Sequence, residues 1–147
     1  MLAMLLMSVP AYADRKKKAN SGENWRKEMH DFKLRFLAQE MKLREDQQKQ
    51  FITVYTQMTE EKEANMNQVR RAMIRVKKLD NPTDADYTAA TDEMIRGHEQ
   101  DLAIEKKYEE RFKTFLSPKQ IFSMKEAERK FREKLRGMRG NRPPKSD

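Results

Sequence analysis

His98, Asp101 and Glu105 stand at i, i+3 and i+7, so a helix would place them on one face, and Glu61, Lys62 and Asn65 form a similar polar group upstream. Imidazole together with carboxylates can hold zinc, which makes His98, Asp101, Glu105 and Glu61 a candidate divalent-metal set. The competing reading is a polar layer. In it Lys62 pairs with Asp101, His98 is hydrogen-bonded, and the groups fix the register of two helices. His30 lies one residue off the apolar spacing of its neighbours and reads as solvent-facing or capping. Other chemistries have no residues to run on. The chain has no Cys, which excludes disulfides, thiolate metal sites and cysteine catalysis. It also lacks a phosphate-cradling Gly-rich loop and any Ser-His-Asp arrangement that sequence can justify. Neither enzymatic activity nor a cofactor is expected.

A second concentration of chemistry is cationic. Arg70, Arg71, Arg75, Lys77 and Lys78 crowd a short stretch that also holds Met66, Met73 and Ile74. Cations near the end of a helix complement its dipole, a sufficient structural reason for them. They also suit long-range attraction of acidic or unfolded polypeptides, with the flexible Met and Ile side chains supplying apolar contact. These eight residues are the candidate client-binding surface. The whole chain is basic, with a formal net charge of +8 and a pI near 9.7, which favours acidic partners.

Helices must position these groups. Charged residues make up 38% of the 147, and mean hydropathy is −1.07, so little apolar material is available for a compact core. Only four Gly and five Pro occur, and Lys, Glu, Arg, Gln, Met and Ala dominate, the composition of an all-α fold. Trp25, Met29, Phe32 and Phe36 follow helical spacing and predict a first helix ending before Leu43. A second helix is expected over 44–79, with Phe51, Val54, Tyr55, Met58, Val69, Ala72, Met73 and Val76 on one stripe. Asp80-Asn81-Pro82 ends it, and Thr83 caps a third helix reaching about Phe115, with Tyr87, Ala90, Met94, Tyr108, Phe112 and Phe115 facing inward. A fourth starts at Pro118 and carries Ile121, Phe122, Met124, Ala127, Phe131 and Leu135 until Gly137. Folded back antiparallel, the two long helices place Phe112 near Phe51 and Met94 near Val69. Leu34, Ile52, Met66, Ile74 and Ile104 fall at or beyond the stripe edges. Two long rods cannot hide such stripes alone, so an antiparallel homodimer is expected.

The ends of the chain carry their own signals. Residues 1–13 combine an apolar run with Pro10 and Ala11-Tyr12-Ala13, the pattern of an export signal cleaved after Ala13, and imply a periplasmic protein without a transmembrane span. Residues 14–24 read as a disordered basic arm, 25–138 as the all-α domain, and 139–147 as a disordered tail.

Leu and Gln recur four apart at Leu43-Arg44-Glu45-Asp46-Gln47 and at Leu116-Ser117-Pro118-Lys119-Gln120, each between two helical stretches. In the second copy Ser117 can cap the helix, Pro118 suits its first position, and Gln120 can close a capping box. In the first, Arg44 replaces the capping hydroxyl. These paired motifs, behind an export signal and without Cys, resemble the Spy/CpxP family of periplasmic proteins, whose LTxxQ motif occurs twice. Here the copies read LSPKQ and LREDQ, and the resemblance spans 25–138. It implies a long antiparallel helical hairpin with short flanking helices, paired into a cradle-like dimer. It also implies ATP-independent binding of unfolded or aggregation-prone proteins during envelope stress, or, as the alternative, docking as a regulatory accessory protein on the periplasmic domain of a sensor kinase. Leu43, Gln47, Leu116, Ser117 and Gln120 would be structural residues of the turns. A cytoplasmic coiled coil binding nucleic acid is the third reading; export argues against it, and no nucleic-acid partner is expected.

Overall fold

The structure, a computed structural model, describes the backbone of residues 11–140 and the side chains of residues 21–138. It is all-α, with four helices: α1 (Ala11–Glu40), α2 (Glu45–Lys77), α3 (Asp84–Lys113) and α4 (Pro118–Gly140). No strand occurs among the described residues, and no helix there is long and apolar enough to cross a membrane. The proposed export signal lies largely outside the described residues, as does most of the expected tail.

Each boundary has a local cause. α1 closes at Lys42, whose φ of 52° lies in the left-handed region. There Leu43 N–H donates to Ala38 O at 3.2 Å and Lys42 N–H to Gln39 O at 3.1 Å, the paired bonds of a Schellman ending. Leu43 and Leu37 then meet in the core, as that ending favours. α3 opens on Thr83, whose Oγ1 accepts from Asp86 N–H at 3.2 Å while Asp86 Oδ2 accepts from Thr83 N–H at 2.8 Å. The basic stretch 14–24, expected as a disordered arm, continues α1 instead: it holds a single Gly and no Pro, and Ala, Lys and Arg are good helix formers. α4 likewise passes Gly137, since one glycine weakens a helix without stopping it.

α2 and α3 pack side by side with their numbering running in opposite senses. The rings of Phe51 and Phe112 lie 5.9 Å apart, Lys62 meets Asp101, and Asn65 meets Gly97. α1 and α4 pair against each other through Phe131, whose ring is 5.8 Å from Phe32 and 5.6 Å from Phe36. The largest fully buried side chains, Tyr55, Tyr108, Phe51, Phe112, Leu37 and Met124, come from all four helices and meet in one cluster. At roughly 1.5–3 kcal/mol for each fully buried large apolar side chain, this cluster dominates the stability. It occupies only the end of α2 and α3 where α1 and α4 attach. Beyond Met58 on α2 just Val69 and Ala72 are buried, and before Ile104 on α3 just Gly97.

Several side chains sit differently from their sequence pattern. Leu34 and Ile104, expected at stripe edges, are buried, because a third and fourth helix widen the covered face. Trp25, Tyr87 and Phe122, expected on inward stripes, are exposed. Val69 packs directly against Gly97, in the register expected from the spacing.

Candidate functional site

The two Leu-x-x-x-Gln motifs form one structure. Leu43 and Leu116 are buried, and Gln47 is the buried polar residue of the core, 5% exposed. Gln47 Oε1 accepts from Arg44 N–H at 3.1 Å, and Gln120 Oε1 accepts from Ser117 N–H at 3.0 Å, so each glutamine closes its own turn. The two amides then exchange hydrogen bonds across the junction, Gln47 Nε2 to Gln120 Oε1 at 3.0 Å and Gln120 Nε2 to Gln47 Oε1 at 2.8 Å. Gln47 Nε2 also donates to Phe115 O at 3.0 Å. A buried amide is thereby satisfied on both its atoms, as burial requires. The second copy has the full box, with Gln120 N–H donating to Ser117 Oγ at 3.1 Å. A guanidinium has no acceptor, so the first copy has only the glutamine half. Arg44 turns outward to Asp46 instead, at 3.0 Å.

The polar belt is built as ion pairs. Lys62 reaches Asp101 at 3.2 Å and Glu105 at 3.4 Å, and Lys125 of α4 holds the other Glu105 oxygen. The hydrogen bond from Lys125, with the nearby lysine charges, keeps the Glu105 carboxyl below its ordinary range. Asn65 Nδ2 donates to Gly97 O at 2.7 Å, tying the two helices together one turn further on. The candidate metal residues are not brought together. His98 is exposed, Glu61 is engaged by Lys107 and Tyr108, and no group of three His, Cys, Asp or Glu converges among the described residues. The lysines among the carboxylates also oppose a cation there.

The candidate client surface lies on the part of α2 beyond the core cluster and on the residues just after it. Met66, Ile74 and Leu79 are 36%, 43% and 47% exposed, and Met73 is half-buried. Arg70 donates to Asn67 at 2.6 Å, but none of Arg70, Arg71, Arg75, Lys77 and Lys78 forms an ion pair among the described residues. Ile95 and Leu102 of α3 are also exposed, at 53% each. Cation and apolar surface therefore alternate here, with Glu93 of α3 the carboxylate that acts on Arg75.

Three features have weaker sequence signals. His30 Nε2 shares a hydrogen bond of 3.1 Å with Thr56 Oγ1, pinning α1 to α2 rather than facing solvent. Tyr55 O–H donates to Glu128 Oε1 at 2.8 Å, linking α2 to α4; burial and that carboxylate push the phenol's pKa up. Gly97 could have been singled out as the only glycine inside the third helical stretch, where glycine is unfavourable unless another backbone comes close. Comparison with known proteins finds no matching family model, curated protein or solved structure.

Proposed function

We propose that the chain is an exported, ATP-independent chaperone that binds unfolded or aggregation-prone proteins in the periplasm. The observation that carries this reading is the alternation of cations that form no ion pair with exposed Met66, Ile74 and Leu79, on and just after a part of α2 that neither α1 nor α4 covers. Long-range attraction speeds encounter with an acidic or unfolded chain, and weak apolar contact holds it briefly, leaving it free to fold. In this reading α2 and α3 form a long antiparallel hairpin, and two copies associate antiparallel into a cradle that covers part of the remaining apolar stripe. In this reading the paired motifs fix their turns, each glutamine accepting from the backbone N–H of its own turn.

The test is aggregation of a chemically unfolded model protein, without ATP and at near-physiological salt, in the presence of the chain from Asp14. Suppression near one dimer per client is expected. Replacing Arg70, Arg71 and Arg75 together by Glu should slow capture, and unchanged suppression by that variant would remove the patch from the mechanism. A folded protein that fails to suppress aggregation, yet binds one acidic sensor domain, would instead make it a regulatory accessory protein.

A further inference from the structure

A cleft of about 420 Å³ is bounded by all four helices where the polar belt meets the core. Its charged lining comprises Lys33 of α1, Lys62 of α2, Glu105 of α3, and Lys125, Glu128 and Arg132 of α4. Three of these charges, those of Lys62, Lys125 and Glu105, are internally paired. Lys62 and Lys125 are satisfied by Asp101 and Glu105, and the Glu128 carboxylate receives the Tyr55 hydroxyl at 2.8 Å. Lys33 and Arg132 have only the Glu128 carboxylate between them. Neither forms an ion pair among the described residues, and the Lys33 ammonium lies against aromatic faces, 5.2 Å from the Tyr55 ring centre and 5.9 Å from that of Phe131. Two cations thus share one carboxylate in a half-enclosed space.

We propose that this cleft binds a phosphate-type oxyanion through the Lys33 ammonium and the Arg132 guanidinium, with Lys62 and Lys125 adding to the positive field. A guanidinium offers a planar fork of donors and an ammonium a compact charge, a combination suited to a tetrahedral oxyanion with several acceptors. Burial lowers the Lys33 pKa, and repulsion from Arg132 and Lys62 lowers it further against the partial support of Glu128. A bound anion opposes each of these lowering effects. The chemistry is distinct from capture of an unfolded chain, and the cleft lies at the junction of the four helices rather than on the far part of α2.

The probe is inorganic phosphate, titrated into the purified full chain at an ionic strength held constant with chloride, and followed by calorimetry and thermal unfolding. Saturable binding is expected, with a midpoint that rises with phosphate. Lys33→Met keeps the stem over the aromatic rings and removes the charge, and Arg132→Gln removes the fork. Each should weaken binding about tenfold or more, the value of a hydrogen bond to a charged group. Arg70→Gln, an equal change in charge outside the cleft, should leave affinity as it was. The proposal fails if phosphate does no more than chloride, if Arg70→Gln weakens binding as much as the cleft variants, or if acetate binds as tightly as phosphate. Far-UV circular dichroism checks that each variant folds, and Arg132→Gln alone decides the matter if Lys33→Met does not.

Discussion

Replacing Gly97 by Ala sets two effects of known sign against each other. In a helix interior the substitution alone favours folding by about 0.5–1 kcal/mol, because Ala loses less backbone freedom. A Cβ at this position, however, would lie 2.1 Å from Val69 Cγ2. Val is stiff at χ1 in a helix, so the methyl cannot swing clear without moving α2. Overpacking of this kind costs roughly 1–3 kcal/mol. Separating the helices also stretches the Asn65 to Gly97 hydrogen bond of 2.7 Å, worth about 0.5–1.5 kcal/mol. The steric terms win, and Gly97→Ala should destabilise by about 1–3 kcal/mol net. Urea unfolding at fixed protein concentration, followed by far-UV circular dichroism, reads this as a lower midpoint with an unchanged slope. Val69→Ala should itself cost about 1–3 kcal/mol, but it vacates the space the new Cβ needs. The double variant should therefore be more stable than the sum of the singles, by about 1 kcal/mol or more. An unchanged or higher midpoint for Gly97→Ala, or strict additivity in the double variant, would refute the close-approach argument.

Gln47→Ala should cost about 2–3 kcal/mol in the same assay, since it leaves Arg44 N–H and part of the Gln120 amide without partners; a coupling of about 1 kcal/mol with Gln120→Ala would report the exchanged pair. Arg44→Thr restores the missing hydroxyl and gives up only an exposed ion pair, so it should raise stability by about 0.5–1 kcal/mol, seen as a higher thermal midpoint. The hydrogen bonds from Thr83 hold the Asp86 carboxyl below its ordinary range, so the stabilisation they provide is present above the unfolded carboxyl's pKa and lost as pH falls through the folded one. Asp86→Asn should accordingly flatten part of the acid limb of stability against pH, and an unaltered limb would count against the linkage.

Much of this architecture is legible in the residues. The capping signals at Thr83 and Ser117, the Pro82 break and the spacing of Phe51 and Phe112 place α2, α3 and α4 close to their observed bounds, and the pairing of Lys62 with Asp101 follows from that register. What escapes the pattern depends on contacts between elements distant in sequence. Whether Leu34 and Ile104 are buried depends on where the other helices dock, which stripe spacing does not encode. The helical state of 14–24 was missed because high charge without apolar periodicity suits a solvated helix as well as a disordered arm. The metal candidate failed for a similar reason: spacing puts His98, Asp101 and Glu105 near one face, but rotation about the helix axis leaves His98 exposed while the two carboxylates meet lysines. The proposed anion cleft is lined from four helices, with Lys33 and Arg132 far apart in sequence, so no local motif announces it.

Confinement of the core to one end has a mechanical consequence. From Met58 to Lys77 α2 extends about 28 Å past its last large buried side chain, held to α3 by Val69, Ala72 and Gly97, by the polar contacts of Glu61 and Lys62, and by the Asn65 and Gln68 hydrogen bonds. A rod clamped at one end converts rotation at the clamp into travel at the tip, so a change of about 10° at Met58 would carry Lys77 through about 5 Å. The arm bearing the cations can therefore follow a changing contour while the aromatic cluster at its root stays packed.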